Sequence, residues 1–342
     1  MTIPSSCSVS TGRIKMRIKQ ELDSMAPCSS YQGSLPITDE LAIQYTLLKG
    51  QASQPLLTIS AAVHGCEYVG VKALMDLAHE WDFNFQGSVL LLHAVNVSGF
   101  WARETTLVPE DGLNLNRIFQ DQEPVSSLSY QIRSVIESQV FSVSDFLIDL
   151  HSGNREELLT PHGYYSLRAN PEVMEKSYQM LQASGTPIIY RSQDRGNLYH
   201  AASVDYGLPS ILLEQGENGT CLPEDVLAMK ESIKQVARYL FEGSMPYYKR
   251  APLIFDDSYY LTCQRSGCWM CFVRPNQTVQ AGQVIGEICD IYGNILEKVT
   301  AKEDGLVLYQ KATLVVHQGE VLLAVASKKP ESYQTSEREA HD

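Results

Sequence analysis

The chain has 342 residues, of which 44% are hydrophobic, so a large domain with a sizeable core and a smaller domain can form and wholesale disorder is excluded. Its formal net charge is −13 at pH 7, which argues against nucleic acid or an anionic membrane as a partner, because both select for clustered Lys and Arg. A small anionic substrate stays compatible with this charge, since a few buried arginines are enough to make the local field positive in a negatively charged protein.

The amino-terminal residues show weak patterns, and we expect residues 1–40 to form a lead-in arm. Met1 to Lys19 is polar and then basic, so we expect no secretory signal. We find no run of the roughly 18 apolar residues that a membrane span needs. The eight cysteines are scattered through a large chain, and we therefore expect free thiols and a cytoplasmic protein.

Apolar runs alternate with amphipathic helix patterns up to about residue 250. Buried strands are predicted at 56–63, 88–95, 145–150 and 209–213. Helices are predicted at 69–80, 127–141, 171–183 and 223–241, and the last two begin with proline, as helices often do. This alternation predicts an α/β fold with a mainly parallel or mixed sheet flanked by helices.

The pattern changes near residue 250 to short β-rich runs with glycine turns. Residues 279–285 and 316–322 both fit V-x-x-G-x-V-[I/L], which predicts two hairpin-like units in a small barrel or sandwich with pseudo-twofold character. We therefore predict a large domain at 1–250, a C-terminal all-β domain at 251–327 and a disordered tail at 328–342.

Four apolar runs lead to polar residues: the first to His64, the second to Asn96, the third to His151 and the fourth to Glu214. In open α/β sheets, ligands bind beyond the carboxyl ends of the strands, so we expect these side chains to converge at one edge.

A metal site is indicated by His64 and Glu67, which lie three residues apart where a strand turns into a helix. His151 at the end of another strand can supply a third ligand. Three protein ligands and one open position are typical of catalytic zinc. The H-x-x-E spacing alone is a weak signal, because it also occurs by chance.

A second signal is the segment 111–119, which reads D-G-L-N-L-N-R-I-F. Asn116 and Arg117 lie side by side in a predicted loop, where they can clamp a carboxylate, the guanidinium doing so bidentately. A simple polar turn is the alternative interpretation.

In chain order, H-G-x-E, D-G-x-N-L-N-R-x-F, D-L-H-S-G and a strand ending in Glu resemble the succinylglutamate desuccinylase/aspartoacylase family. The resemblance covers about residues 50–245, and the C-terminal β-domain fits the family's architecture, whose catalytic domain is similar to zinc carboxypeptidases. It implies a zinc-dependent amidohydrolase with one Zn²⁺ per chain, held by His64, Glu67 and His151.

The same resemblance implies further roles. Asn114, Asn116 and Arg117 would bind a substrate carboxylate. Glu214 would serve as general base and then as general acid, with Glu217 as a nearby rival.

Arg103 would polarise the scissile carbonyl. The family's arginine often lies closer to the D-G pair, however, where this chain has Thr105 and Thr106.

The predicted activity is hydrolysis of the amide bond in an N-acyl amino acid, of N-succinyl or N-acetyl type. A peptide metallocarboxypeptidase and a non-catalytic binding module are the alternatives. A pocket closed by the β-domain would favour small substrates, and an open cleft would favour peptides. The sequence leaves open whether the chain forms a homo-oligomer.

Three weaker signals complete the prediction. Cys263, Cys268 and Cys271 fit a structural zinc site or a redox pair, but packing cysteines in a strand is the preferred interpretation. His162 and His200 lie in loop-like stretches and are candidates to line the pocket. The β-domain resembles the hammerhead-type fold of biotinyl and lipoyl carriers but lacks their lysine motif, so we interpret it as a lid or an assembly surface.

Overall fold

The computed structural model describes residues 17–121 and 127–327. The predicted tail and the start of the predicted arm therefore lie outside the described residues. The helices are α1 Arg17–Ser24, α2 Tyr68–Glu80, α3 Val97–Ala102, α4 Leu128–Val135, α5 Pro171–Ser184, α6 Leu198–Asp205 and α7 Pro223–Glu242. A π-helical turn at Ile136–Phe141 continues α4, and a 3₁₀ turn spans Leu115–Arg117. Within the described ranges, no helix is long and apolar enough to cross a membrane.

The first ten strands belong mostly to one large sheet. They are β1 Ser29–Pro36, β2 Ala42–Lys49, β3 Leu56–Ala61, β4 Ser88–Leu92, β5 Phe146–His151, β6 Glu157–Leu159, β7 His162–Ser166, β8 Ile188–Ser192, β9 Ser210–Glu214 and β10 Leu253–Phe255. The sheet has nine strands in the order β1-β2-β4-β3-β5-β9-β7-β8-β10, and β6 lies outside it. The mixed sheet flanked by helices confirms the predicted fold class.

The central strands β3, β4, β5 and β9 form parallel neighbours wherever they pair with one another. Their side chains are buried on both faces, which explains why the sequence shows them as continuous apolar runs. One apolar cluster packs on each face, and full burial of a Leu or Ile side chain contributes about 1.5–3 kcal/mol.

The predicted helices are present and end for local reasons. Asn170 caps α5, because its side chain accepts a hydrogen bond from the Val173 backbone N–H at 3.0 Å. Gly185 and Gly243 follow α5 and α7 with φ values of 75° and 71°, a left-handed conformation that favours glycine.

Several strands had no counterpart among the predicted elements. The antiparallel pair β1 and β2 forms one side of the sheet, and α1 packs into the core through Ile18 and Leu22. Residues 17–36 thus contribute a helix and a strand where the sequence predicted only a lead-in arm. The strands β7 and β8 read H-G-Y-Y-S and I-I-Y-R-S, and neither is a continuous apolar run of the kind that marks β4 and β9.

The remaining strands build two facing antiparallel sheets. They are β11 Asp257–Thr262, β12 Gly267–Cys271, β13 Thr278–Val279, β14 Val284–Cys289, β15 Ile295–Thr300, β16 Gly305–Lys311, β17 Val315–Val316 and β18 Val321–Ser327. One sheet has the order β11-β18-β16-β13, with β6 paired to β16, and the other has the order β15-β14-β12-β17. A shared apolar core lies between them, as expected for a sandwich.

Each copy of the internal repeat comprises two strands that follow one another in the chain, β13 and β14 in the first copy and β17 and β18 in the second. The prediction of hairpins was wrong, because the two strands of each repeat lie in opposite sheets. The glycines at the turns, Gly282 and Gly319, have φ values of 79° and 89°. The shared sequence pattern therefore encodes a crossing between the sheets, with a left-handed residue at each crossing.

Candidate active site

Three adjacent strands bring the predicted side chains together. His64 and Glu67 follow β3, and Glu67 is the residue immediately before α2. His151 ends β5 and Glu214 ends β9, and the two residues are paired in register across these parallel strands. Asn96 does not join them. It is fully buried, and its side-chain oxygen caps α3 by accepting from the Gly99 backbone N–H at 3.0 Å.

His64, Glu67 and His151 form a compact donor set. One potential ligand atom from each residue lies within 4.8 Å of the others. The Glu67 carboxylate lies between the two imidazoles, with Oε1 2.7 Å from His64 Nδ1 and Oε2 2.8 Å from His151 Nδ1. Two imidazole nitrogens and a carboxylate oxygen are a ligand set typical of catalytic zinc, so these residues fit that ion.

The orientation of His151 is set by its other ring nitrogen. Nε2 lies 3.1 Å from Asp149 Oδ2, and Asp149 Oδ1 accepts a hydrogen bond from the Ser60 hydroxyl at 2.8 Å. This leaves Nδ1 of His151 directed at Glu67, the arrangement in which carboxylates orient metal-binding histidines. The sequence analysis missed Asp149, although residues two apart on a strand share a face.

The charges of the donor set are strongly coupled. Burial alone would raise the pKa of Glu67, but the adjacent His64 and His151 lower it to about 2. Burial would lower the pKa of His151, but Glu67 and Asp149 raise it well above its usual value. The site therefore favours a positive charge between these side chains, whether a proton or a metal ion supplies it.

Glu214 lies in a different electrostatic state. Burial raises its pKa to about 8, against the opposing effect of His151 and with smaller contributions from Glu67 and Glu157. Its carboxyl lines the same cavity as the donor set, whereas Glu217 does not line it. On the other side of β9, His162 is paired in register with Glu214 and lines the cavity too.

The loop at 114–117 lies against the donor set. The Asn114 side-chain oxygen lies 3.3 Å from His64 Nε2 and accepts from the Asn116 backbone N–H at 2.9 Å. The Asn116 side chain accepts from the Leu198 backbone N–H at 2.9 Å. Arg117 Nη1 donates to the Asn116 carbonyl at 2.8 Å and to the Asn197 side chain at 3.3 Å. Part of the guanidinium thus holds its own loop.

A cavity of about 650 Å³ is lined by the donor set, by Glu214 and by residues of the 114–117 loop. The C-terminal sheets cover it with Ser258, Tyr260, Leu308, Tyr309, Val321 and Ala324. The C-terminal sheets therefore supply part of the cavity wall, and the cavity has the volume typical of a small-molecule site.

Arg195 also lines this cavity and was missed in the sequence analysis. It belongs to the turn Asp194-Arg195-Gly196, whose composition indicates a loop but not its location. Gly196 has φ 83°, and a Cβ there would lie 2.3 Å from the Arg117 carbonyl oxygen. Only glycine lets this turn approach the 114–117 loop so closely.

Two predicted site residues lie elsewhere. Arg103 is exposed, follows α3 in a left-handed conformation with φ 59°, and does not line the cavity. The structure thus does not bring Arg103 to the carbonyl position inferred from the resemblance. His200 is fully buried in α6, where Nδ1 lies 3.2 Å from the Ser166 hydroxyl oxygen, and it is not part of the cavity wall.

The cysteine set of the C-terminal sheets lies away from this cavity. Cys268 and Cys271 are in β12, and Cys263 and Cys271 pack into the apolar core between the two sheets. Packing was the preferred interpretation of these cysteines.

The chain resembles known proteins in both sequence and fold. The sequence profile described as the Succinylglutamate desuccinylase/Aspartoacylase catalytic domain matches residues 53–240. The chain is 26% identical over 308 residues to the N-alpha-acetyl-L-2,4-diaminobutyric acid deacetylase of Halomonas elongata, covering 85% of this chain and 89% of that protein.

Solved structures share the fold. The product-bound Ectoine utilization protein EutE (DoeB) of Ruegeria pomeroyi has a TM-score of 0.78 at 19% identity, over 89% of this chain and 98% of that one. A succinylglutamate desuccinylase/aspartoacylase of Rhodobacter sphaeroides has a TM-score of 0.76 at 23% identity, over 88% and 96%.

Proposed function

Because the chain belongs to the succinylglutamate desuccinylase/aspartoacylase family of amide-hydrolysing enzymes, we propose that it is a zinc-dependent deacylase of small N-acyl amino acids, of the N-acetyl or N-succinyl type. The family membership rests on a match that spans more than half of the chain. The zinc ion, the substrate and the residue roles are our proposal.

The observation that carries this proposal is that the C-terminal sheets form part of the wall of the cavity that the donor set lines. The cavity of about 650 Å³ has the size typical of small-molecule sites and is covered by the C-terminal sheets. A carboxypeptidase needs room for the peptide chain that precedes its last residue. The covered cavity therefore favours an acylated single amino acid.

The mechanism follows from the residues in the cavity. His64, Glu67 and His151 would hold the ion, whose contribution when bound is to lower the pKa of a coordinated water from about 15.7 toward 7. Glu214 would accept a proton from the attacking water and return it to the leaving nitrogen. Burial raises the pKa of Glu214, and a cation held by His64, Glu67 and His151 would oppose that shift and favour the carboxylate that a general base needs.

Substrate orientation would come from the 114–117 loop beside the donor set. Asn114, Asn116 and Arg117 would bind the substrate carboxylate, and Arg195 adds a second cation to the same cavity. A guanidinium grips a carboxylate bidentately, and this fixes the amide bond relative to Glu214. The Halomonas relative is named for removing an acetyl group, so we place N-acetyl substrates first in the test.

Elemental analysis of the purified protein and a substrate panel test this function. We expect one zinc per chain and hydrolysis of N-acetyl or N-succinyl amino acids, with activity lost on chelation and restored by zinc. Faster hydrolysis of dipeptides and tripeptides would favour a metallocarboxypeptidase. Stoichiometric zinc without hydrolysis of any amide in the panel would favour a binding protein on this fold.

A further inference from the structure

Glu157 is a carboxyl in the cavity to which neither the family match nor the proposed mechanism gives a role. It begins β6, six residues after His151 along the chain. Its backbone N–H donates to the Asn154 carbonyl at 3.0 Å, and its carbonyl accepts from the Asn218 N–H at 2.7 Å. β6 then pairs with β16, where Glu157 is the register partner of Lys311. The backbone of Glu157 is therefore held by Asn154, by Asn218 and by its pairing with β16.

Glu157 lines the cavity, and its carboxyl group has a single, long hydrogen bond. Oε2 accepts a hydrogen bond from the Asn154 backbone N–H at 3.3 Å. Among the described residues, Oε1 has no hydrogen-bond partner and no cation lies within ion-pair distance of either oxygen. The side chain thus offers an acceptor that the protein itself leaves unused.

The neighbouring Glu156, in contrast to Glu157, has a carboxylate that forms an ion pair. Its Oε2 lies 3.1 Å from Lys311 Nζ, and the same Nζ lies 3.3 Å from Glu320 Oε2. Lys311 is therefore shared between two other carboxylates. The cation nearest in register to Glu157 does not neutralise it.

Loss of water around a carboxylate is costly unless a cation or several hydrogen bonds compensate it, and Glu157 is partly exposed. Burial, and after it the negative charge of Glu67, raise the pKa of Glu157 above its usual value. Arg117 and Arg195 line the same cavity without pairing with Glu157. The cavity therefore offers two guanidinium groups that can bind a substrate carboxylate, and in Glu157 a separate carboxyl group that can bind a cation.

We propose that Glu157 binds a positively charged group on the side chain of the substrate's amino acid, so the enzyme selects N-acyl amino acids that carry an ammonium group. This inference rests on the proposed function for its substrates, but the cation subsite itself does not. The ammonium would take the place opposite Oε1, while the α-carboxylate is held by the arginines.

Matched substrate pairs test this selection. N-acetyl amino acids whose side chains end in an ammonium group after two, three or four methylenes are each compared with the analogue that ends in a methyl group. We expect kcat/KM of the wild type to favour the ammonium member of the best pair by about 10–100-fold, the range of a hydrogen bond to a charged group. Glu157→Gln keeps the shape and removes the charge, and it should abolish most of this preference. Glu156→Gln alters an adjacent carboxylate that does not line the cavity, and it should retain the preference.

Binding of the free amino acids gives a second measurement that does not depend on turnover. Calorimetry with the zinc-loaded wild type should show tighter binding of the ammonium amino acid than of its methyl analogue, and the difference should shrink in Glu157→Gln. Equal affinities in the wild type, or a preference that survives in Glu157→Gln, would overturn the inference. Absence of hydrolysis with a clear difference in binding would overturn the proposed deacylase activity and leave the cation subsite supported.

Discussion

The two walls of the cavity are built from different kinds of structure. The strand-end wall comprises His64, Glu67, His151 and Glu214, at or just beyond the ends of three adjacent strands. The opposite wall comprises Arg117, Arg195, Tyr260 and Tyr309, from two loops and the C-terminal sheets. The register of neighbouring strands in one sheet holds the first wall to a fixed geometry, whereas the second wall combines two loops of the large domain with strands of the C-terminal sheets. Reaction chemistry needs the fixed geometry, and substrate selection tolerates more variation.

This comparison predicts that changes in the strand-end wall affect all substrates. The largest effect is expected for His151→Ala, which removes a proposed metal ligand and leaves Glu67 without one of its two imidazoles. Bound zinc should fall from one per chain to near zero, and activity should fall below detection. Elemental analysis after gel filtration measures the metal. Full zinc content in both His151→Ala and His64→Ala would contradict the ligand assignment.

Glu214→Gln should separate chemistry from metal binding. The amide has the shape of the carboxyl but cannot take the proton, so we expect a loss of about 10²–10⁴-fold in kcat with zinc content unchanged. Glu217→Gln is the matched control, since Glu217 does not line the cavity, and it should change kcat less than threefold. A larger loss in the control than in Glu214→Gln would reverse the assignment of the base.

Arg117→Lys tests the opposite wall. Lysine keeps the charge but cannot form the bidentate contact, and we expect a loss on the order of 2 kcal/mol in transition-state stabilisation for substrates with a free carboxylate. The loss should largely vanish for the corresponding carboxamides, which offer the wild-type arginine no charge. Arg117 also donates to Asn116 and Asn197. An equal loss on acids and amides, with a lower melting temperature, would show that it only supports its loop.

Asp149→Asn should weaken metal binding without removing a ligand. Asp149 orients His151 through Nε2, and partners of this kind typically contribute 10–100-fold to metal affinity. Competition with a chelator measures the change. Asp145→Asn is the control. Asp145 lies just before β5, and its Oδ2 accepts a hydrogen bond from the Leu56 backbone N–H at 2.7 Å. It should affect stability but not zinc affinity, and equal weakening by both variants would argue against an orienting role.

The smallest effect concerns the pH dependence of stability in the metal-free protein. Burial raises the pKa of Glu214 from 4.5 to about 8, so the folded state binds this proton more tightly than the unfolded state. The resulting stability is fully present below pH 4.5 and is lost as the pH rises toward 8. Relative to Glu214→Gln, wild type should lose on the order of 1 kcal/mol per pH unit in this window. Parallel urea-unfolding curves for the two proteins across it would contradict the raised pKa.

The strand-end wall could be predicted from the sequence because buried parallel strands have a strong signature. Each central strand is a continuous apolar run, and the residue type that follows such a run is directly visible. The convergence of His64, His151 and Glu214 then follows from sheet topology. Asn96 satisfied the same rule but caps a helix, since an asparagine at a strand end serves either purpose equally well.

Apart from Arg117, the opposite wall could not be predicted, because its residues depend on long-range packing. Nothing near Arg195 or Tyr309 in the chain indicates that they meet across the cavity. The internal repeat correctly indicated a sandwich, but a period of strand, glycine turn and strand describes a hairpin and a sheet crossing equally. Arg103 was placed by resemblance alone, and its left-handed position after α3 directs it to the exposed surface.

The pairing of β6 with β16 has a consequence for the order in which the protein matures. β6 begins six residues after His151, yet its ladder partner lies more than 140 residues further along the chain. The cavity wall also extends to Ala324. Synthesis proceeds from the amino terminus, so His64, Glu67 and His151 leave the ribosome well before the C-terminal residues that line the same cavity. The donor set can therefore assemble in a nascent chain before the cavity wall is complete, and that wall forms only after β16 and β18 have emerged.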